Sequence, residues 1–421
     1  MDSPSSPKLF YGWVVVLGSF IAIFSGGLLF SYGVFFDTLR TEFGWDYATT
    51  SSIYSVTLVL SLIFTIAWGP IIDRYGSKIP LLVSALSTGI GFILVSRSQN
   101  LWQFYLFRSV GCIGASTMTV ALTAVQKWFI KKRGLVVAIS IAGLGVGQFT
   151  YPLLSGHLIS TYGWRAAFII IGLVNAFLIL CAAQLIVDSP EEKGMKPYGA
   201  DMHLSEGMHK KTDAIRWEKV DFDLWEALKT PSFIAISLYN LLTVIPVHIT
   251  YVHLVPYTIK TGLASFSTAS ISLSIIGGMS IAGRLLFGAI TPHISGWRQG
   301  LAMCPAFCGI MMLWLTGSNA LWMIWTFAFI FGIFQGGRTP LVPGIIGTYY
   351  GTKSLASLIA ISNATMIVGA AIGPIIGGLV CDHTGNYPLA FFIGALCYIG
   401  GAFSVLKITP PKKSSETPHL S

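Results

Sequence analysis

The chain consists largely of long apolar runs separated by short polar stretches. A helix needs about 20 consecutive apolar residues to cross the hydrocarbon core of a membrane. Only 10% of the 421 residues are charged, whereas a soluble domain carries about 25%. The sequence therefore predicts an all-α membrane protein and argues against a water-soluble enzyme, a disordered chain and a disulfide-stapled secreted domain. Twelve transmembrane helices are predicted, at about 10–36, 48–72, 79–97, 102–128, 134–160, 165–187, 231–259, 267–291, 299–317, 320–347, 355–381 and 387–407.

One polar segment interrupts this series after the sixth run. Residues 188–230 contain seven Lys or Arg residues and ten Asp or Glu residues. We interpret them as a solvated linker between an N-terminal six-helix bundle at 10–187 and a C-terminal six-helix bundle at 231–407. The end of the linker, KVDFDLWEALKTPSF, is suited to a short amphipathic helix on the membrane surface. Residues 1–9 and 408–421 are then the terminal tails.

The basic residues indicate the orientation of the helices. The net charge is +9, and the Lys and Arg residues concentrate in short loops, as in a membrane protein, which argues against nucleic acid as a partner. With the N-terminus inside, the inner loops and tails hold twelve Lys or Arg residues and the outer loops hold four: Arg40, Arg97, Arg165 and Lys260. We therefore expect a multi-pass protein of the cell (inner) membrane with both termini in the cytoplasm.

The two halves repeat each other. A shift of 222 residues places Ala142 on Ala364, Gly147 on Gly369, and Pro152 on Pro374. Such small or kink-forming residues in constant register indicate a two-fold repeat of pseudo-symmetric bundles. Repeats of this kind are typical of transporters, whose binding site lies near the midplane.

The loop after the second span carries a motif, Gly69-Pro-Ile-Ile-Asp73-Arg74-Tyr-Gly76-Ser-Lys78. Its residues resemble the signature loop of the major facilitator superfamily, which implies that superfamily's fold and a latch that controls conformation. The Arg-x-x-Gly-x-x-Gly run that begins at Arg108 resembles a second superfamily motif. The residues that we assign to conformational change are Gly69, Asp73, Arg74, Gly76, Lys78, Arg108 and Arg133. The equivalent loop after the eighth span is degenerate, with Pro292 and His293 near the expected Asp-Arg.

A narrower resemblance rests on two stretches. Tyr11-Gly12-Trp13-Val14 opens the first span, and the fifth span is bounded by a Trp128-to-Leu135 segment and a Tyr-Gly-Trp-Arg segment at 162–165. Both look like the monocarboxylate transporter branch of the superfamily and its bacterial oxalate/formate relatives. The chain is identified as a member of this branch, which implies transport of small organic anions.

Charged residues at membrane depth are functional candidates because they are costly to bury. The spans hold Arg108, Arg284 and Arg338 but no Asp or Glu at mid-depth. A guanidinium matches a carboxylate with two parallel hydrogen bonds, and in the branch that the chain resembles, an arginine at the position of Arg284 binds the substrate carboxylate. Arg338 is either a second anion contact or a structural residue beside Pro340 and Pro343.

Weaker candidates complete the predicted site. Positions that align with the substrate pocket of relatives, or that offer an apolar wall for a short alkyl chain, are Ser280, Met118, Gln335, Thr339, Asn363, Phe30 and Leu29. His253 is a candidate for proton coupling because histidine titrates near neutral pH. No metal site and no cofactor are expected.

Departures from the relatives leave two kinds of transport open. Animal monocarboxylate transporters have an acid at the position of Ser280 and a lysine at that of Phe30, and oxalate/formate exchangers have a lysine at that of Met366. The first interpretation is transport of a monocarboxylate such as lactate or pyruvate with a proton as co-substrate, by a chain that functions as a monomer. The alternative is exchange of a dicarboxylate or other organic anion bound by Arg284 and Arg338 together. Enzyme motifs are absent from the sequence.

Overall fold

A computed structural model describes residues 10–114, 117–200, 222–290, 297–351 and 354–411. Within these ranges the secondary structure is helical, apart from one isolated β-bridge between Phe129 and Tyr198. The contacts between residues divide the chain into two units. Unit 1 spans Met1–Gly44 and Val56–Lys211, and unit 2 spans Trp45–Ser55 and Thr212–Ser421.

Among the described residues, seven helices precede the linker. They are α1 Gly12–Ser25, α2 Tyr32–Phe43, α3 Tyr47–Tyr75, α4 Lys78–Ser96, α5 Leu101–Cys112, α6 Thr117–Trp128 and α7 Arg133–Leu185. A 3₁₀ segment, Gly26–Ser31, joins α1 to α2, and a second one lies at Pro190–Lys193. The first two turns of α3 belong to unit 2, whereas its remainder belongs to unit 1.

Seven helices follow the linker in the part of the chain that the structure describes. They are α8 Leu224–Leu228, α9 Pro231–Lys260, α10 Phe266–Ile290, α11 Trp297–Thr316, α12 Leu321–Tyr350, α13 Leu355–Thr384 and α14 Pro388–Ser404, with a 3₁₀ turn at Val405–Lys407. The five residues of α8 are the short helix expected at the end of the linker. Its Trp225 is exposed and its Ala227 is buried.

The apolar helices account for the predicted spans. Ten helical stretches of the described residues are long and apolar enough to cross a membrane. One of them, Gly134–Leu185, changes direction at Gly163, whose φ of 78° and ψ of 164° are not helical. This bend separates the predicted fifth and sixth spans. The 30-residue α12, which carries Arg338 and corresponds to the predicted tenth span, is not among the ten.

Close backbone contacts organise unit 1. A Cβ on Gly143 of α7 would overlap the carbonyl oxygen of Phe20, and one on Gly147 would overlap that of Phe24. Small residues allow membrane helices to approach at this distance. These contacts pack α1 and the 3₁₀ segment tightly along α7.

Unit 2 shows the same device between α9 and α13. A Cβ on Gly369 would lie 2.7 Å from the carbonyl oxygen of Leu241, and one on Gly373 would overlap the carbonyl oxygen of Ile245. Gly385, with a φ of 72°, ends α13, and Pro388 starts α14. The left-handed conformation favours glycine because it has no Cβ.

Parts of the predicted domain plan lie outside the described residues. These are the N-terminal tail at 1–9, residues 201–221 of the linker, and residues 412–421 of the C-terminal tail. The boundaries drawn from the sequence at 187, 231 and 407 therefore stay predictions. The assignment of Trp45–Ser55 to unit 2 has no counterpart in that plan.

Candidate substrate site in unit 2

Arg284 lies in the second half of α10. The residue is half-buried, and its Nε and Nη1 atoms are shielded from solvent. It interacts electrostatically with Tyr251 of α9. A guanidinium at this depth needs polar or anionic neighbours. The structure thus places the strongest sequence candidate on a spanning helix, within the electrostatic influence of a second one.

Glycines fix α10 against α12 around this arginine. A Cβ on Gly283 would overlap the carbonyl oxygen of Ile333, and one on Gly336 would overlap that of Ser280. Ser280 itself is buried, and its hydroxyl donates to the carbonyl oxygen of Gly277 at 2.7 Å. Because the backbones touch, the helix that carries Arg284 has little freedom to slide or rotate on α12.

Arg338 lies on α12 and is only 5% exposed. Its Nη1 donates to the hydroxyl of Thr243 on α9 at 3.2 Å, and its Nε has no hydrogen-bond partner among the described residues. Its electrostatic neighbours carry hydroxyl, thiol or imidazole groups: Tyr239, His248, Cys304, Cys308 and Tyr398. Arg338 is therefore deeply buried among hydroxyl, thiol and imidazole groups.

Two histidines of α9 contact the start of α3. The Nδ1 atom of His248 lies 2.8 Å from the hydroxyl of Tyr54. The Nε2 atom of His253 lies 3.3 Å from the hydroxyl of Ser51 and 2.9 Å from the carbonyl oxygen of Pro374. His253 is fully buried. The candidate for proton coupling is thus bound to two helices besides its own.

The other unit 2 candidates divide by exposure. Gln335 is buried, and its Oε1 has no hydrogen-bond partner among the described residues. Thr339 and Asn363 are exposed. The buried polar residue beside Asn363 is Ser362, whose hydroxyl accepts from Asn240 Nδ2 at 2.6 Å. The hydrogen bond between Asn240 and Ser362 was not predicted from the sequence.

The remaining pocket candidates lie in unit 1. Leu29 and Phe30 are half-buried in the 3₁₀ segment Gly26–Ser31, and Met118 of α6 is 43% exposed. Each of these side chains has apolar surface that is not covered within unit 1. They stay predicted members of an apolar wall.

The signature loop is held by a residue that the sequence motif does not include. Asp188, directly after α7, accepts hydrogen bonds from the backbone N–H of Ser77 at 2.9 and 3.0 Å. A Cβ on Gly76, whose φ is 76°, would overlap its carboxylate. Arg74 and Lys78 are exposed. An acid at the boundary between a span and a charged linker was the only available signal for this contact.

The other conformational candidates have different surroundings. Arg108 donates from Nε to the hydroxyl of Thr57 at 3.3 Å and lies over the Phe92 ring at 5.2 Å. The side chains of Asp73 and Arg133, as well as the whole of Pro292 and His293, lie outside the described residues. The roles assigned to these residues stay predictions.

Comparison with known proteins agrees with this architecture. The chain matches the Major Facilitator Superfamily over residues 15–325 and 300–420. It is 25% identical to Monocarboxylate transporter 12 of Xenopus laevis over 409 residues, which cover 92% of this chain and 86% of that protein. It is 26% identical to Monocarboxylate transporter 2 of Mus musculus over 430 residues, which cover 96% and 86%.

A solved structure gives the same result for the fold. It is that of a bacterial homologue of the human lysosomal transporter Spinster, with a TM-score of 0.67 and 17% sequence identity. The match covers 96% of this chain and 95% of that one. The expectation of a multi-pass membrane transporter rather than an enzyme is confirmed, and the chain belongs to the major facilitator superfamily.

Proposed function

We propose that the protein is a secondary active transporter of small monocarboxylates of the lactate and pyruvate type. The substrate carboxylate binds the Arg284 guanidinium, and a proton moves in the same direction. The transport cycle is alternating access. The proposal places the protein in the cell (inner) membrane as a monomer, with both termini in the cytoplasm.

The position of Arg284 carries this proposal. Its planar guanidinium carries a fork of N–H donors that matches the two oxygens of one carboxylate, and the residue lies half-buried on the spanning helix α10. The relatives' names, which specify monocarboxylates, support the same substrate class.

The test is uptake of labelled L-lactate into proteoliposomes with an inward proton gradient. We expect Arg284→Ala to abolish uptake because it removes the carboxylate partner, and Arg284→Lys to restore little of it because an ammonium lacks the planar fork. Arg97→Ala is the matched control, since Arg97 is an exposed arginine at the end of α4. Normal uptake by a folded Arg284→Ala protein would exclude this assignment.

A second candidate function rests on Arg338. This buried cation has a single hydroxyl partner among the described residues, so a second carboxylate would supply the missing charge. Exchange of dicarboxylates on Arg284 and Arg338 would use both arginines. Exchange differs from proton symport in needing a counter-substrate inside the vesicle and no pH gradient.

A further inference from the structure

The start of α3 is attached to unit 2. Residues Trp45–Ser55 cluster with unit 2, whereas the same helix continues from Val56 as part of unit 1. A rigid helix that belongs to two units transmits any movement of one end to the other. The contacts of these first two turns therefore matter for a change of conformation.

Asp382 binds the N-terminus of α3. The two oxygens of its carboxylate accept hydrogen bonds from the backbone N–H groups of Tyr47 and Ala48, both at 2.8 Å. The first N–H groups of a helix have no partner within the helix, and a negative charge there is favourable. Asp382 lies near the end of α13, so this contact joins α13 to α3.

Lys260 reinforces the same place from the end of α9. Its Nζ donates to the carbonyl oxygen of Gly385 at 2.6 Å and to the hydroxyl of Tyr47 at 3.2 Å. The ammonium also lies 5.0 Å from the centre of the Tyr47 ring and 5.8 Å from that of Tyr387. Three helices, α3, α9 and α13, thus meet at one lysine.

The backbones of α3 and α13 are in close contact below these charges. A Cβ on Gly378 would lie 2.7 Å from the Cα of Ala48 and 2.7 Å from the carbonyl oxygen of Tyr47. One and two turns further along α3, Ser51 contacts His253 and Tyr54 contacts His248. Residues at this spacing share one face of a helix, so one face of α3 is bound to unit 2 over its first two turns.

We propose that Tyr47, Ala48, Lys260 and Asp382 form a latch that holds the start of α3 on unit 2, and that it must open once in each transport cycle. Under the proposed topology it lies at the outer end of the helices. Asp382 and Lys260 are exposed, and their contacts are hydrogen bonds and cation–π contacts rather than a buried ion pair. Such contacts break and re-form readily in water, as a cyclic movement requires.

A native cysteine reports on the latch. Cys381 is only 1% exposed, and its sulfur lies 3.8 Å from Lys260 Nζ. A thiol at this position is protected while the latch is closed and becomes accessible when α3 leaves unit 2. Among the other cysteines, Cys112, Cys304 and Cys308 are buried within spanning helices.

The first experiment measures labelling of Cys381 by a membrane-impermeant maleimide applied to whole cells, with the Cys381→Ser protein as blank. We expect slow labelling of the wild type and about tenfold faster labelling of Asp382→Asn and Lys260→Gln, since each loses hydrogen bonds made by a charged group. Asp37→Asn is the matched control, because Asp37 pairs with Arg40 in unit 1 on the same predicted side. Its labelling rate should equal that of the wild type.

The outcomes separate this proposal from the others. Equal labelling of all variants, from outside and in inverted vesicles, overturns the latch. Faster labelling of the latch variants in inverted vesicles alone preserves the latch and reverses the proposed topology. The labelling needs no substrate, so it is unaffected if the monocarboxylate assignment on Arg284 fails.

A second experiment tests whether opening is required. The Tyr47→Cys protein carries a thiol close to Cys381, because the backbone N–H of Tyr47 donates to the carboxylate of Asp382, the residue after Cys381, at 2.8 Å. We expect a short, reducible bifunctional reagent to bridge the two thiols and stop uptake, and a reductant to restore it. Uptake that continues in the bridged protein contradicts the proposal, and Tyr47→Cys with Cys381→Ser controls for single-site modification.

Discussion

The two arginines of unit 2 differ in how their charge is balanced. Arg284 is half-buried, with Tyr251 as its electrostatic neighbour, whereas Arg338 is 5% exposed and makes one hydrogen bond, to Thr243. Removal of one partner of a buried ion pair is strongly destabilising because it leaves an uncompensated charge, but among the described residues no carboxylate pairs with Arg338. Loss of Arg338 is therefore expected to affect anion selectivity more than folding, and loss of Arg284 to affect transport itself.

His253 provides a prediction at the scale of a single residue. Its ring is fully buried between Ser51 and Pro374, so a proton taken up there must enter when these contacts loosen. We expect His253→Gln to lose the stimulation of uptake by an inward proton gradient but to keep lactate counterflow, because glutamine still donates to the Pro374 carbonyl and does not titrate. His157→Gln, at an exposed histidine of unit 1, is the control.

The measurement is initial uptake at several external pH values, with and without the gradient. If His253→Gln retains the full gradient stimulation, the proton moves with the substrate or on another group. Loss of counterflow as well would point to a structural role, since Ser51 belongs to the part of α3 that unit 2 holds.

The residues of the site were unequally predictable from sequence. Arg284, Arg338 and His253 were identified because an ionisable side chain within an apolar run is conspicuous. Tyr54 and His248 were not paired, because 194 positions separate them and neither run has a local pattern that encodes the contact. No role was predicted for Asp188 or Asp382, because their binding of helix N-termini depends on the packing of distant helices.

At the scale of elements, glycine pairs decide how closely helices approach. The sequence predicted the position and length of most helices, because apolar run length alone determines whether a helix can cross the membrane. It did not predict which helices touch. The contact of α10 with α12 depends on Gly283 and Gly336, which face a carbonyl oxygen of the partner helix.

Gly336→Ala tests this packing. Its Cβ would overlap the carbonyl oxygen of Ser280, so the helices must separate, which costs about 1–3 kcal/mol for an overpacked core. We expect thermal unfolding in detergent to occur a few degrees lower and lactate uptake to decrease, since Arg284 follows Gly283 on the displaced helix. The control is Gly288→Ala on α10, the helix that carries Gly283 and Arg284. It should behave as the wild type, because nothing lies within 4 Å of its added Cβ. Equal melting of the two variants would contradict the proposed role of this contact.

At the scale of the whole molecule, one helix belongs to both units. The first turns of α3 lie with unit 2 while the rest of the helix lies with unit 1. Under the proposed function, we expect the binding residues on α10 and α12 and the contacts of α3 to change together, because a rigid helix transmits movement of one end to the other. We therefore expect coupling of a proton gradient to substrate movement to depend on the complete transport cycle.

The ratio of the lactate concentration inside proteoliposomes to that outside distinguishes the two candidate functions of the whole protein. One pH unit is equivalent to about 1.36 kcal/mol per proton, which equals a tenfold concentration ratio. One-to-one symport therefore predicts that proteoliposomes at zero membrane potential accumulate lactate to about tenfold for each pH unit of gradient. Exchange predicts no accumulation in empty vesicles and rapid counterflow in vesicles preloaded with oxalate or succinate, which Arg338→Met should abolish while leaving lactate transport intact. Accumulation well below tenfold in tight vesicles, together with dicarboxylate counterflow that depends on Arg338, would reject symport and establish the exchanger.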